Sequence, residues 1–236
     1  MILMNESQQA RGQRTRFKIC GLTREQDVDA AVAAGCDAVG FVMYSKSPRY
    51  VTVERAAALA GRLPPFVTPV LLFVNEAPER VLAACESVPG AWLQFHGEES
   101  PEQCLLASGN AKHPYIRVAR IPLSGDGFDL VKFATEHARA RAILLDAHVE
   151  DYGGAGKAFN WSHLPPNVNA HLVLSGGLTP ANVTDGIVQV RPRCKTLAVD
   201  VSSGVELDGP GNKGLKDPEK IHRFAAAVRA ADAPPA

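Results

Sequence analysis

The chain carries no excess of charge, because 25 lysines and arginines are offset by 25 aspartates and glutamates. That balance excludes a surface built to neutralise a nucleic-acid backbone, and basic residues must act locally, at a single phosphate or carboxylate. Cysteine is scarce and badly spaced for cross-linking. Five residues, Cys20, Cys36, Cys85, Cys104 and Cys194, are scattered with no Cys-x-x-Cys pair. Neither a disulfide framework nor a zinc site is expected, no metal or other cofactor is expected, and a reducing, cytoplasmic compartment is the natural one. No uninterrupted apolar run is long enough to span a bilayer. The opening Met-Ile-Leu-Met-Asn-Glu lacks the basic-then-apolar order of a signal peptide, so no membrane partner is expected. Aromatics make up only 6% of residues against 46% apolar overall, the Ala/Val/Leu-rich balance of helices packed over a sheet.

What is present is a repeated unit: a short β-rich apolar run, a turn, then an amphipathic Ala/Leu-rich stretch. Strands are expected at Arg16–Cys20, Asp37–Tyr44, Thr68–Asn75, Ala91–Gly97, Tyr115–Ile121, Ala142–Ala147, His171–Gly177 and Lys195–Ser202. Helices are expected near 24–34, 53–62, 77–87, 101–108, 127–138, 160–164, 179–190 and 217–230, the sixth cut short by Pro165 and Pro166. Thr23 with Gln26 reads as a capping box for the first. Runs such as Val70-Leu71-Leu72-Phe73-Val74 are apolar on both faces, as in parallel strands covered on both sides. Eight βα units in about 220 residues match a closed (β/α)₈ barrel, a single α/β domain over residues 16–231. A flexible leader is expected at 1–15 and a frayed tail at 232–236. An open doubly wound sheet would carry a GxGxxG turn after its first strand, where this chain has Cys20-Gly21-Leu22-Thr23.

In such a barrel the C-terminal strand ends share one mouth. Cys20 ends the first strand, as a reactive thiol or as a small apolar filler. Arg49 lies in the loop after the second, as a carboxylate clamp or a solvated arginine. His96 follows the fourth strand, as a second acid, a donor to ligand or a packed imidazole. Asp146 is on the sixth, opposite Cys20, where a thiol and a carboxyl can divide proton transfer between them. The glycine-rich segment Asp151–Lys157 after it reads as a flap over the ligand. Turns at Ser175-Gly176-Gly177 and Asp200-Val201-Ser202-Ser203-Gly204 expose backbone N–H groups, each expected to open toward a helix N-terminus. They form a phosphate site, or simply tight turns.

These motifs, in this order, resemble the phosphoribosylanthranilate isomerase family of tryptophan biosynthesis. The likeness is carried by Lys18-Ile19-Cys20-Gly21-Leu22-Thr23, Ser45-Lys46-Ser47-Pro48-Arg49-Tyr50, Leu93-Gln94-Phe95-His96-Gly97-Glu98-Glu99, Leu144-Leu145-Asp146, Leu174-Ser175-Gly176-Gly177 and Val199-Asp200-Val201-Ser202-Ser203-Gly204-Val205-Glu206. The resemblance implies a cofactor-free and metal-free Amadori rearrangement of N-(5-phosphoribosyl)anthranilate to 1-(2-carboxyphenylamino)-1-deoxyribulose 5-phosphate. It makes Cys20 the general base, Asp146 the general acid and Arg49 the holder of the anthranilate carboxylate. His96, Gly176, Gly177, Asp200, Ser202, Ser203 and Gly204 are the further substrate-binding candidates. The expected partner is a phosphorylated small molecule, with the chain itself a monomer or homodimer. The chain departs from the family where Ser45 replaces a common proline, and in a longer, glycine-rich 207–217 loop. The alternatives are another phosphosugar barrel, such as a histidine-pathway isomerase or an indole-glycerol-phosphate synthase, and an inactive barrel serving as a binding module.

Overall fold

The computed structural model describes residues 14–123, 127–148 and 160–233. Eight parallel strands run β1 (Arg16–Cys20), β2 (Ala38–Val42), β3 (Thr68–Phe73), β4 (Trp92–Phe95), β5 (Tyr115–Pro122), β6 (Ala142–His148), β7 (Val168–Leu174) and β8 (Cys194–Val201). They pair in sequence order, and β8 closes on β1 with Lys18 opposite Asp200, so the sheet is a closed barrel. Among the described residues seven α-helices cover it: α1 (Glu25–Ala33), α2 (Val53–Ala60), α3 (Pro78–Ser87), α4 (Pro101–Ala107), α5 (Leu130–Glu136), α6 (Val183–Val190) and α7 (Pro218–Asp232).

Strand alternation divides the core. Odd-numbered residues such as Phe17, Ile19, Leu71 and Leu145 join the large apolar layer between sheet and helices. Even-numbered ones such as Ile116, Val118 and Leu144 pack inside the barrel, joined on β7, whose register is shifted, by the odd-numbered Val173. Each fully buried Leu, Ile or Phe contributes about 1.5–3 kcal/mol, so the outer layer, with many more such residues, dominates stability. The smaller inner layer is left free to carry polar groups.

Four expectations are corrected by the structure. The helix expected at 160–164 is a single 3₁₀ turn, Trp161–His163, started by the Asn160 side chain accepting from the Ser162 N–H at 3.1 Å. Strand β7 begins at Val168, three residues before the predicted start, because a register shift between Val168 and His171 breaks the alternation. Helix α1 has Arg24, not Thr23, at its N-cap and no side-chain cap bond. The Thr23 carbonyl accepts instead from Arg55, and Arg24 pairs with Asp27. Finally, Thr15 and Asp232, placed in leader and tail, are tied together. The Asp232 carboxylate accepts from the Thr15 N–H and hydroxyl, both at 2.7 Å, and pairs with Arg191. This clasp joins the chain's first described strand to its last helix.

Candidate active site

At the C-terminal ends of the strands lies an open cleft. Cys20, Arg49, His96, Asp146, Gly176, Gly177, Asp200, Ser202 and Ser203 all line it, so nine of the ten site residues expected from sequence meet in one place. Gly204 does not line it. A Cβ there would lie 1.9 Å from the Leu178 carbonyl oxygen, so this glycine lets the turn after β8 press against the turn after β7. Gly204→Ala is therefore expected to cost about the 1–3 kcal/mol typical of overpacking. That loss lowers Tm by roughly 2–12 °C in a domain of this size, as a thermal melt would show.

Cys20 is placed by β1. Period-two alternation turns Lys18 and Cys20 to the same inner face, where Cys20 packs with Val42, Leu72 and Val74. Room for both side chains comes from Gly40 on β2. A Cβ at Gly40 would lie 2.7 Å from Cys20 Sγ and 3.0 Å from Lys18 Cε. Lys18 donates to Asp200 Oδ1 at 2.7 Å, both side chains buried. Burial pushes the Cys20 thiol up, and the Lys18 ammonium pulls against it without reversing the shift. For Lys18 burial works against the charge, but Asp200 and Cys20 outweigh it and raise its pKa, so it stays an ammonium.

Across the mouth, His96 Nε2 lies 3.0 Å from Asp146 Oδ2, and the Gln94 amide nitrogen approaches His96 Nδ1 at 3.2 Å. Asp146 Oδ1 accepts from the Ala147 N–H at 3.0 Å. The turn after β7 closes over this carboxyl only because residue 176 is glycine. Its φ is +76°, and a Cβ would fall 2.6 Å from the Ala147 nitrogen and 3.0 Å from Asp146 Oδ1.

Arg49 is buried, not solvated. Its Nε and Nη2 donate to Glu206 Oε1 at 2.6 Å and Oε2 at 3.1 Å, a fork that leaves the Nη1 edge for another acceptor. Lys216 Nζ donates to Glu206 Oε1 at 3.0 Å and to the Ser202 carbonyl at 3.0 Å. Ser202 Oγ in turn donates to the Cys20 carbonyl at 3.1 Å. Burial alone would raise Glu206, but the Arg49 hydrogen bonds and the Lys216 charge bring it down to about 2. The unusual 207–217 loop thus returns Lys216 to the site, with Leu207 and Leu215 bonded between its two arms.

The two glycine turns lie side by side, though not as the sequence suggested. Neither runs directly into an α-helix. Helix α6 starts at Val183, and a 3₁₀ turn, Ser203–Val205, follows β8. Asn182 braces the first turn, donating to the Gly177 carbonyl at 3.0 Å and accepting from the Thr179 N–H at 2.8 Å. Among the described residues the amides of Gly176, Gly177 and Ser203 have no backbone acceptor. The expected flap, 151–157, lies outside the described residues.

Lys18, Gln94, Glu206 and Lys216 were not among the site residues expected from sequence. Lys18 and Gln94 were detectable, as polar residues on inward positions of strands otherwise apolar there. Glu206 and Lys216 carry no such local signal, since only the return of the loop brings them to Arg49. Among the described residues no group of three or more His, Cys, Asp or Glu is arranged to hold a metal ion, and no helix is long and apolar enough to cross a membrane.

The sequence model of the N-(5'-phosphoribosyl)anthranilate isomerase family matches residues 17–227. The isomerase of that name from Methylibium petroleiphilum is 60% identical over 220 residues, covering 93% of this chain and 96% of the relative. That of Leptothrix cholodnii is 59% identical, covering 93% of each. Among solved structures, phosphoribosyl anthranilate isomerase from Thermotoga maritima superposes with a TM-score of 0.79 at 39% identity, over 92% of this chain and 99% of that one. A phosphoribosyl anthranilate isomerase in complex with reduced 1-(o-carboxyphenylamino)-1-deoxyribulose 5-phosphate gives 0.72 at 35% identity, with the same coverage. With sequence identity this high across nearly the whole of both chains, and the same barrel beneath it, the chain belongs to the N-(5'-phosphoribosyl)anthranilate isomerase family.

Proposed function

We propose that the cleft rearranges N-(5'-phosphoribosyl)anthranilate to 1-(2-carboxyphenylamino)-1-deoxyribulose 5-phosphate, with Cys20 as general base and Asp146 as general acid. The observation that carries this division of roles is the placement of the thiol and the carboxyl on β1 and β6, lining one cleft between the buried Arg49 and the paired glycine turns. Asp146 protonates the ribose ring oxygen as the C1–O bond breaks and the nitrogen lone pair forms a Schiff base. The Cys20 thiolate takes the C2 proton, and the C–H electrons form the enolamine, which tautomerises to the ketose. The Nη1 edge of Arg49 receives the anthranilate carboxylate, since Glu206 occupies the other edge. The amides of Gly176, Gly177 and Ser203 receive the phosphate. His96 orients Asp146 from the mouth. Asp200 lines the cleft, but one of its oxygens is taken by Lys18.

The direct test is turnover of freshly made phosphoribosylanthranilate, followed by loss of its anthranilate-type fluorescence; a substrate left unconsumed would overturn the proposal. Metal removal gives a second expectation. The donor set of the cleft is one thiol, carboxyls and an imidazole already paired, so activity is expected to survive exhaustive chelation. Alkylation of Cys20 is expected to abolish it, with product analogues protecting the thiol. Reversible loss with EDTA would contradict the mechanism.

A further inference from the structure

Lys18 is a buried lysine that the proton transfers above leave without a task. Its charge is costly to bury, and one carboxylate partner seldom justifies it, because an apolar pair of similar volume is usually no less stable. The location is what distinguishes it. Lys18 sits two residues before Cys20 on the inner face of β1, and its Nζ is held by Asp200 Oδ1 at 2.7 Å. The end of its side chain shares with Cys20 Sγ the pocket that Gly40 leaves open, 3.0 and 2.7 Å from where a Cβ would be.

We propose that Lys18 is a positioning residue for Cys20: its ammonium, aimed by Asp200, stabilises the thiolate form of the sulfur when it accepts the substrate proton. The inference rests on the reading of Cys20 as the base. Three charged groups face the sulfur: Lys18 on its own strand, Asp200 on β8 and Lys216 from the 207–217 loop. Burial and Asp200 favour the thiol, whereas the two lysines favour the thiolate. Lys18 is the lysine whose side chain shares the Gly40 pocket with the sulfur, so it dominates the favourable side. It is not itself the base, because Asp200 and Cys20 keep it protonated. The proton balance is complete without a further reactant. The thiolate fraction that Lys18 stabilises forms by loss of the thiol proton to solvent through the cleft. The thiolate then gains the C2 proton, and the thiol so formed is deprotonated again beside the same ammonium once product leaves.

The test is the pH dependence of Cys20 alkylation by iodoacetamide, with the site identified by peptide mass mapping, in the wild type, Lys18→Met and Lys18→Gln. This readout requires no turnover. An opposite charge at this range lowers a pKa by about 1–3 units, so the alkylation midpoint is expected to rise by at least about one unit in both variants. On the same basis kcat near neutral pH is expected to fall about tenfold or more, with KM within about twofold and the deficit shrinking as pH rises. In Lys18→Gln the side-chain amide would keep a hydrogen bond to Asp200 without the charge. A merely structural lysine would therefore be rescued by that substitution, and a wild-type midpoint or wild-type kcat in it would overturn the proposal. If Lys18→Met fails to fold, Lys18→Gln alone carries the test. An active Cys20→Ala enzyme would defeat the base assignment instead, and would leave the alkylation shift untouched, so the two failures are distinguishable.

Discussion

Asp146→Asn and Cys20→Ala are each expected to lower kcat by roughly two to four orders of magnitude, the usual worth of a positioned general acid or base. KM should change little, because the proposed function assigns the carboxylate and phosphate to other groups, Arg49 and the glycine turns. Neither change threatens the barrel. Among the described residues Asp146 bonds to His96 and the neighbouring Ala147 N–H, and an asparagine oxygen can still accept one of those hydrogens. Cys20 belongs to the small inner cluster, so its truncation leaves the main core intact. Steady-state kinetics with circular dichroism as a folding control would check both. Near-normal kcat in Cys20→Ala would remove the thiol as base and leave Asp146 or His96 as candidates. Near-normal kcat in Asp146→Asn would shift the acid role to His96.

Arg49→Ala is expected to act on binding and stability together. It removes the guanidinium that lines the cleft, so KM should rise strongly. It also leaves the Glu206 carboxylate buried with Lys216 as its remaining partner. Breaking a buried pair by deleting one member typically costs about 3–5 kcal/mol. Part of that cost is dependent on pH, and its sign follows from the direction of the Glu206 shift. The folded-state pKa of Glu206 lies at about 2, below the ordinary value of 4.5. Its pairing therefore contributes fully above about 4.5 and is lost as pH falls toward 2. Urea unfolding should show a large wild-type advantage at neutral pH that narrows below pH about 4. An advantage of equal size across that window would mean that Glu206 is not held low by Arg49. Unchanged stability at neutral pH would mean that Lys216 alone suffices.

Much of the fold was legible because its signals are local. β1 was placed to the residue, Arg16–Cys20, and the other strands to within a few, since apolar runs bounded by turns are repeated eight times, the count of a closed (β/α)₈ barrel. Boundaries failed where the backbone departs from regular alternation, at the shifted register of β7 and the truncated turn at Trp161–His163. The capping box failed because the helix begins one residue later, with Arg24 at its N-cap and its side chain paired with Asp27.

By itself the sequence determined that this is a barrel and which residue types stand at its strand ends, because strand parity and strand order are written in nearest-neighbour chemistry. It did not determine what those residues touch. Whether Arg49 was a solvated loop residue or a buried clamp depended on Glu206, 157 residues away. Whether Asp200 faced a ligand or a lysine depended on Lys18, 182 residues away. Gly204 looked like one more phosphate-turn glycine until its contact with the Leu178 carbonyl was known. Tertiary structure alone decided these, since the ionisation, burial and orientation of a polar side chain depend on groups within a few ångströms in space, and ring closure brings those groups together from opposite ends of the chain.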